Sequence, residues 1–322
     1  MISSSHLKAC AAQLGFSACG LAPAEPLPAW RTELFEQWIA QGCQGEMEYL
    51  ARHAEKRADP RLLVEGAQTV VSLAVNYYPG HWTEGTGNEE DGRAQTPNAW
   101  RLARYAYGTD YHEVLKQMLR KLMAETGLEE GKDGRCFVDT APIDEKYWAV
   151  RCGLGWQGRH SQLIVPQAGS FFFLGELILT HPADAYDEPI KNRCGNCRAC
   201  IEACPTGALD NSGKLDARRC LSYLTIEHKG AISEQLAAKM APCIYGCDRC
   251  AEACPWNQRF ASPTTICDLQ PRHALLNMTP EGWQHLEVEQ YRELFRKSAV
   301  KRAKYDGLMR NIQAVAMHHE GE

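Results

Sequence analysis

Two cysteine-rich stretches decide how this chain folds: CGNCRACIEACP at residues 194–205 and CDRCAEACP at residues 247–255. The part of the first stretch from residue 197 matches the second at an offset of 50 positions, so the chain contains an internal repeat. In two-cluster ferredoxins, cysteines at two-residue spacing ligate one [4Fe–4S] cluster, and the cysteine before the proline ligates the other. The repeat therefore predicts a ferredoxin-like module with two [4Fe–4S] clusters.

The spacing assigns most of the cluster ligands. The first cluster takes Cys194, Cys197, Cys200 and Cys254, and the second takes Cys204, Cys247 and Cys250. The fourth ligand of the second cluster stays open between two residues. Cys243 stands one residue too far before the second stretch, and Cys220 lies just beyond the first. Structural zinc, the alternative, prefers two separated ligand pairs and does not explain two runs that each end in Cys-Pro.

Cysteine usage also indicates the compartment. Of the 15 cysteines, ten lie between Cys194 and Cys267, and the first residues lack the basic and apolar regions of a secretory signal. No stretch approaches the ~18 consecutive apolar residues of a membrane helix. Cytosolic thiols stay reduced, so a dense cysteine cluster indicates metal or redox chemistry. We expect a cytoplasmic protein, and its net charge of −5 argues against general nucleic-acid coating.

The remaining sequence predicts a mixture of helices and strands. Apolar spacing predicts helices over residues 29–42 and 111–127 and a buried strand over 69–78. Residues 79–98 are rich in Gly, Asn, Glu and Asp, which predicts a solvated loop. Another helix is expected over EKYWAVRC, followed by strands in QLIVP and SFFFLGELILT.

The composition changes at two points along the chain and divides it into three predicted domains. The fold class that we expect is α+β. The domains are a mixed α/β catalytic domain (1–185), the ferredoxin-like domain (186–267) and a short helical C-terminal segment (268–322).

GLGWQGRH, residues 153–160, contains a G-x-G-x-x-G pattern. A dinucleotide-binding site needs a strand before the glycines and a helix after them. Here a predicted helix precedes the pattern and a strand follows it, so we exclude a nicotinamide site. The glycines indicate a tight loop that approaches another group closely.

Asp139, in FVDT, stands at the end of a predicted apolar strand. An acid in that position is commonly a turn or cap residue. The functional alternative is a partly buried carboxyl group with a raised pKa, which is able to donate a proton. Arg57 and Arg104 are surface charges or ligands for phosphate or amide groups.

The C-terminal segment is predicted to be helical in MTPEGWQHL and QYRELFRKSAVKRAKY. Between Arg296 and Arg310 it carries six Lys and Arg residues against one acid, Asp306. A run of this kind is commonly a solvated helix face. The alternative is a contact with a nucleic-acid phosphate backbone, for which the candidates are Lys301, Arg302 and Lys304.

Taken together, these segments resemble the tRNA epoxyqueuosine reductase family. The resemblance covers about residues 5–315, and its motifs stand in the family's order. They are EKRADPRLL, ARYAYGTDYH, FVDTAP, GLGWQGRHS, GSFFFLGEL, CGNCRACIEACPTGAL, DARRCLSYLTIE, IYGCDRCAEACPWN and SAVKRAKYDGLMRN.

The resemblance implies an oxidoreductase that uses cob(II)alamin and two [4Fe–4S] clusters. It implies reduction of the epoxide of epoxyqueuosine, at the wobble position of tRNA, to the alkene of queuosine. Asp139 matches the family's proton donor, and Cys220 becomes the fourth ligand of the second cluster, which leaves Cys243 and Cys267 without a role. The implied cobalamin contacts are Arg57, Ala103, Asp139, Gly158, His160, Leu163, Leu174, Ser222 and Asp248.

The implied partners are a tRNA that carries epoxyqueuosine in its anticodon loop and a low-potential electron donor, and we expect a monomer. Two departures from the family pattern stand out. Other members continue into helical repeats, whereas we expect this chain to stop after the first helices. Ala103 stands where some members have a cysteine.

Two other functions remain as alternatives to the implied one. A corrinoid reductive dehalogenase shares the cofactors, but such enzymes are usually exported with a twin-arginine signal, which is not found in the first residues. A ferredoxin-like electron carrier would not need the first 185 residues, with their acid and glycine-rich loop.

Overall fold

The computed structural model describes residues 1–80 and 100–319. Most of the loop predicted for residues 79–98 therefore lies outside the described residues. The chain forms two compact units: Met1–Asn76 with His112–Cys197, and Tyr77–Tyr111 with Arg198–Glu322. These units do not follow the boundaries predicted at residues 185 and 267, because residues 77–111 group with the second unit. The division into three functional domains stays a prediction.

Short elements dominate the described residues. The α-helices are α1 Ser4–Gln13, α2 Ala29–Ala40, α3 Ala54–Ala58, α4 Tyr111–Glu125, α5 Glu145–Arg151, α6 Ala199–Glu202, α7 Leu221–Ile226, α8 Glu234–Ala237, α9 Arg249–Glu252, α10 Pro255–Phe260, α11 His273–Leu276, α12 Pro280–Gln284, α13 Val288–Leu294 and α14 Lys304–His319. The strands are β1 Ala18–Pro23, β2 Thr69–Asn76, β3 Arg101–Leu102, β4 Gly134–Phe137, β5 Trp156–Gln157, β6 Leu163–Ile164, β7 Phe172–Leu179 and β8 Cys243–Tyr245. Within residues 1–80 and 100–319, none of these helices has the length and apolar composition that crossing a membrane requires.

The first unit is built on a four-stranded antiparallel sheet in the order β1-β2-β7-β4. The predicted strand over residues 69–78 is confirmed as β2, and all of its residues except Asn76 are buried. Such complete burial follows from its central position, because α5 packs on it in addition to its two neighbouring strands. The predicted helices over 29–42 and 111–127 are confirmed as α2 and α4.

One buried pair in this sheet is polar. Ser72 of β2 lies directly opposite Glu176 of β7, and both side chains are inaccessible to solvent. On the other side of β7, Glu176 is paired with Phe137, the last residue of β4. The sheet register therefore places an interior carboxyl group beside the end of β4, two residues before Asp139.

Helix α5 covers this sheet and contributes Trp148 and Ala149 to the core, together with Cys152, which follows its last residue. They pack with Val70 and Ala74 of β2 and with other apolar side chains of the sheet. Burial of each large apolar side chain stabilises the fold by roughly 1.5–3 kcal/mol. The helix is thereby fixed on the sheet, and its first residue, Glu145, is fixed with it.

The internal repeat of the sequence is also a repeat of backbone structure in the second unit. Helices α6 and α9 arise from the two cysteine-rich stretches and pack against each other. The residues that precede them, Arg198 and Asp248, have φ/ψ of −126°/5° and −108°/2°. The residues that follow, Ala203 and Ala253, have −74°/−10° and −74°/−11°.

The last helix, α14, is tied into the second unit through a buried asparagine. The Asn311 side chain donates hydrogen bonds to the carbonyl oxygens of Thr225 and Ile244, at 2.8 and 2.9 Å. Leu308, Ile312 and other apolar residues of this helix are also fully buried. The helical C-terminal segment that the sequence predicts is confirmed, and it forms part of a packed core.

The prediction of one continuous helix over QYRELFRKSAVKRAKY is wrong. Helix α13 ends at Leu294, residues Ala299–Ala303 form a 3₁₀ turn, and α14 begins at Lys304. Lys297 and Lys304 have φ angles of 53° and 60°, which an α-helix does not accommodate. The Ser298 hydroxyl accepts a hydrogen bond from the Val300 amide and begins the 3₁₀ turn.

We predict that Gly20→Ala destabilises the protein. A Cβ atom on Gly20 of β1 would lie 1.9 Å from the carbonyl oxygen of Cys152, a backbone atom that cannot rotate away. The expected loss is about 1–3 kcal/mol of folding free energy, measured as a lowered midpoint of thermal unfolding.

The control is Gly307→Ala in α14, where the nearest atom to the new Cβ is 3.6 Å away. Alanine favours helices over glycine, so this variant should unfold at the wild-type temperature or above it. An unchanged unfolding midpoint for Gly20→Ala would contradict the close packing of β1 on the Cys152 carbonyl.

Candidate functional site

Asp139 lies two residues beyond the end of β4, in the corner that joins this strand to α5. Its φ angle is 50°, in the left-handed region that non-glycine residues seldom adopt. The side chain is 57% exposed, and its Oδ2 atom lies 3.5 Å from Nε2 of His112. Asp139 does not cap α5, because that role belongs to Asp144, whose carboxylate accepts a hydrogen bond from the Tyr147 amide.

The backbone of Asp139 is fixed by a hydrogen bond to the first residue of α5. Its amide donates a hydrogen bond of 2.6 Å to Oε1 of Glu145, the first residue of α5. The carboxyl group of Asp139 is thus left toward solvent while its main chain is fixed. This arrangement presents an acid in a set direction without burying it.

Two arginines hold the other end of the same corner. Arg31 of α2 makes a two-pronged contact with the Asp144 carboxylate, at 2.6 and 3.0 Å. Arg57 donates a hydrogen bond to the Ile143 carbonyl oxygen at 3.3 Å, and its guanidinium lies over the Phe35 ring. Arg57 is therefore half-buried, and its guanidinium stabilises the local fold through Ile143 and Phe35. It is not the plain surface charge that was one of its two interpretations.

Glu145 is the titratable group that the sequence analysis missed. Burial and the nearby charge of Asp139 raise the pKa of Glu145 to about 8. Lys146 and His112 act in the opposite direction. Only its sequence position, directly after the turn that follows Asp139, could have indicated that Glu145 contacts this aspartate.

Glu176 is a second missed carboxyl group. Its Oε1 atom accepts a hydrogen bond from the Ser72 hydroxyl at 3.3 Å, and its buried Oε2 atom has no hydrogen-bond partner among the described residues. Burial raises the pKa of Glu176 well above its ordinary value, and the charges of Glu145 and Asp139 raise it further. Burial therefore favours the neutral form of Glu176, whose signal in the sequence was a lone acid within an apolar strand.

The glycine-rich segment runs from the end of α5 through β5 into the turn of the β5–β6 hairpin. This is the helix–loop–strand order on which the exclusion of a dinucleotide site rested. A Cβ atom on Gly155 would lie 2.0 Å from the Ile164 carbonyl oxygen, and one on Gly158 would lie 2.9 Å from the His160 ring. The glycines are thus required by close backbone packing, as the sequence analysis expected.

His160 in this loop is buried, with one ring nitrogen satisfied and one not. Nδ1 accepts a hydrogen bond from the Gln162 amide at 3.2 Å, while the buried Nε2 has no partner among the described residues. Burial and the charge of Lys146 lower the pKa of His160 to about 4. The imidazole is therefore neutral, and because Nδ1 accepts, its proton is on Nε2, where no described residue accepts it.

The residues implied as cobalamin contacts divide between the two units. Leu163 and Leu174 are buried in the core of the first unit. Arg57, Asp139, Gly158 and His160 belong to the same unit. Ala103, Ser222 and Asp248 belong to the second unit.

Asp248 lies in an ion pair of the second unit. Its carboxylate accepts a hydrogen bond from the Arg104 amide at 2.7 Å, and the Arg104 guanidinium contacts Asp248 and Glu252. Burial raises the pKa of Asp248 to about 6. Arg104 is buried, so its interpretation as a surface charge is wrong, since two carboxylates from the second cysteine-rich stretch compensate its charge.

The thiols predicted for the second cluster lie near one another. The pKa of Cys250 is raised mainly by burial, and the neighbouring Cys247 and Cys220 add to the effect. Cys204 and Cys247 likewise contribute to the raised pKa of Cys220. Cys243 raises the pKa of Cys247, and Cys247 raises that of Cys220, so both candidates for the fourth ligand are neighbours of the same thiol.

The basic C-terminal segment does not form a uniform solvated face. Arg302 is paired with Glu227 at 2.9 and 3.1 Å, and Arg310 donates hydrogen bonds to the carbonyl oxygens of Leu224, His228 and Gly230. Lys301 and Lys304 are exposed. The three candidate contacts therefore differ, because two are exposed lysines and one is engaged with an acid.

Comparison with known proteins identifies the family of this chain. Residues 57–140 match the family model described as epoxyqueuosine reductase QueG, and residues 193–257 match a 4Fe-4S double cluster binding domain. An epoxyqueuosine reductase of Leadbetterella byssophila is 44% identical over 313 residues, which cover 97% of this chain and 98% of the relative. The chain thus carries a double-cluster [4Fe–4S] binding domain.

Two solved structures have the same fold. One is an epoxyqueuosine reductase in a crystal with an epoxyqueuosine-modified stem loop of tRNA-Tyr. It has a TM-score of 0.83 and 27% identity, covering 98% of this chain and 80% of that one. The other, from Bacillus subtilis, has its catalytic aspartate loop swung out of the active site. Its TM-score is 0.82 with 26% identity, covering 98% and 81%. The resemblance seen in the motifs is confirmed, and the chain is an oxidoreductase that belongs to the epoxyqueuosine reductase family.

Proposed function

We propose that this chain reduces the epoxide of epoxyqueuosine, at the wobble position of a tRNA in the cytoplasm, to the alkene of queuosine. The observation that carries the proposal is the exposed Asp139 carboxyl group on a backbone fixed by Glu145. A family relative binds an epoxyqueuosine-modified stem loop, and another has a catalytic loop that contains an aspartate. We take residues 138–144 as the corresponding loop here.

The reaction consumes two electrons and two protons, because the epoxide becomes an alkene and its oxygen leaves as water. When the C–O bond opens, the oxygen gains negative charge, and Asp139 donates a proton to it. A positioned general acid commonly contributes about 10²–10⁴-fold in rate. His112, 3.5 Å from the Asp139 carboxyl group, is in position to return a proton to it.

The residues of the first unit fit a corrinoid cofactor. His160 Nε2 is a buried donor that has no acceptor within residues 1–80 and 100–319, and the amide and phosphate groups at the edge of a corrinoid are acceptors. Gly158 lets the backbone pass close to this ring, because a Cβ atom there would lie 2.9 Å from it. Bound cobalamin would supply the strongly reducing cobalt centre that the substrate needs. We propose that Arg57, Gly158, His160, Leu163 and Leu174 of this unit contact it.

We propose that eight cysteines ligate the two [4Fe–4S] clusters that deliver electrons one at a time from a low-potential donor. The sets are Cys194, Cys197, Cys200 and Cys254 for one cluster, and Cys204, Cys220, Cys247 and Cys250 for the other. The thiols of Cys204 and Cys247 affect the pKa of Cys220, and those of Cys247 and Cys220 affect the pKa of Cys250, which supports the second set; Cys200 of the first set also affects Cys250. The protein would act as a monomer.

Lys301 and Lys304 are the proposed contacts with the tRNA backbone. Both are exposed, and each adds one positive charge that a phosphate group can neutralise. Arg302 is the weaker candidate of the original three, because Glu227 already engages its guanidinium.

We predict that Asp139→Asn lowers the rate of epoxide reduction by about 100-fold or more, because an amide cannot act as the acid. The protein is reconstituted anaerobically with iron, sulfide and cobalamin, and a strong reductant is added. Queuosine formed in an epoxyqueuosine-containing stem loop is then measured by mass spectrometry of nucleosides.

The matched control is Asp268→Asn, at an exposed aspartate of the second unit, which should retain full activity. Corrinoid absorption and iron content should be the same in both variants. Near-wild-type turnover in Asp139→Asn would remove Asp139 from the mechanism.

We predict that Cys220→Ser loses about half of the bound iron and sulfide, since one cluster of two then lacks a ligand. Cys243→Ser should retain the full content. Both are measured chemically and by electron paramagnetic resonance after anaerobic reconstitution. The reverse result would assign the fourth ligand to Cys243.

We predict that the double variant Lys301→Glu/Lys304→Glu binds tRNA more weakly, with a smaller salt dependence of the binding constant. Each lost phosphate contact lowers the slope of log K against log salt by about 0.7–0.9. Binding is measured with the stem loop across a salt series. An unchanged affinity and slope would make these lysines ordinary surface residues.

A further inference from the structure

We propose that Glu145 is a positioning residue for Asp139, because its carboxyl oxygen accepts the Asp139 amide and fixes the turn that directs the Asp139 side chain. This inference rests on the proposed role of Asp139 as proton donor. It concerns the atoms that hold the acid, and it extends the site by a residue to which neither the motifs nor the comparisons give a role.

The conformation of Asp139 needs a restraint. A non-glycine residue with a φ angle of 50° is in a sparsely populated region, so an unrestrained corner would relax to other conformations. The hydrogen bond to Glu145, at 2.6 Å, supplies the restraint. The acceptor is a carboxyl oxygen, which accepts the amide proton whether the group is protonated or ionised.

The restraint acts on the backbone and leaves the acid free to react. The Asp139 side chain is exposed, and its Oδ2 atom approaches His112 on the first turn of α4. Glu145 binds the backbone amide of Asp139 and not its carboxyl group. Removal of Glu145 should therefore change the direction of the Asp139 carboxyl group without changing its chemistry.

Glu145 itself is attached to a rigid support. It begins α5, whose Trp148 and Ala149 are buried in the core. The residue before it, Asp144, is fixed by Arg31. A hydrogen bond from Asp139 to Glu145 therefore connects the catalytic corner to the packed interior of the first unit.

The charged groups around Glu145 make this contact depend on pH. They are Asp139 on the corner, His112 on α4, Lys146 and Asp144 on its own helix, and Glu176 on β7, with Arg31 of α2 on Asp144. Burial and the charge of Asp139 place the pKa of Glu145 at about 8. Below that pH Glu145 is neutral and still accepts the amide, and above it two adjacent carboxylates repel each other.

Two substitutions of similar size separate the acceptor from the charge. Glu145→Gln keeps an oxygen that accepts the Asp139 amide, and Glu145→Met fills the same space without one. The control is Glu33→Gln, on an exposed residue of α2. Each holoenzyme is reconstituted with clusters and cobalamin, and kcat and KM are measured with the epoxyqueuosine stem loop between pH 6 and pH 9.

We expect Glu145→Met to lose about 10- to 100-fold in kcat with KM unchanged, since small displacements of a reacting group have effects of this size. Glu145→Gln should stay within about threefold of wild type. In the wild type, kcat should decline above pH ~8, where Glu145 ionises, and Glu145→Gln should lack this decline because glutamine does not ionise. Equal losses in kcat for both variants would overturn the proposal and make Glu145 itself an acid.

Amide hydrogen exchange of the segment 138–144 provides a readout that does not need turnover. Exchange at Asp139 should be at least about tenfold faster in Glu145→Met than in wild type, and unchanged in Glu145→Gln. Equal exchange in wild type and Glu145→Met would overturn the proposal. If instead the wild type converts no nucleoside but this exchange difference is observed, the proposed function has failed and the positioning role of Glu145 has not.

Discussion

The hydrogen bond from the Asp139 amide to the Glu145 carboxyl group is the contact on which the candidate site depends. An acid that protonates a leaving oxygen must be accessible to substrate and yet held in one direction. Exposed loop residues usually have the first property and lack the second. Here the side chain is accessible while the backbone is bound to a helix whose next turn is buried in the core.

The sheet explains why this corner lies where it does. Strand β4 is paired with β7 as far as Phe137, opposite Glu176, so Asp139 follows the last paired residue by only two positions. Glu176, Glu145 and Asp139 then form a series of carboxyl groups from the interior of the sheet to the surface. Burial, with a smaller contribution from the neighbouring carboxylate charges, raises the pKa of Glu145 and of Glu176, which favours their neutral forms and limits the negative charge next to the catalytic acid.

Some of this arrangement could be predicted from the sequence, because it depends on local patterns. The offset of the two cysteine-rich stretches predicted paired units, and α6 and α9 have nearly the same backbone angles at their ends. The position of Asp139 after a strand and of the glycine-rich loop after a helix followed from apolar spacing. The family itself could be inferred from the order of the motifs.

The features that were missed depend on contacts between distant residues. Glu145 is an ordinary first-turn acid until the left-handed turn at Asp139 brings that amide onto it. Arg104 is buried because two acids more than a hundred positions later compensate its charge. The break in the basic C-terminal segment follows from backbone angles at Lys297 and Lys304 that composition does not reveal.

The most direct test of the account is the nucleoside composition of tRNA in living cells. The chain, or its Asp139→Asn variant, is expressed in a bacterial strain that lacks its own epoxyqueuosine reductase, with cobalamin in the medium. The account predicts that the wild-type chain replaces epoxyqueuosine with queuosine in bulk tRNA and that the variant leaves epoxyqueuosine in place. Persistence of epoxyqueuosine with the wild-type chain, when the purified protein holds its iron and corrinoid, would contradict it.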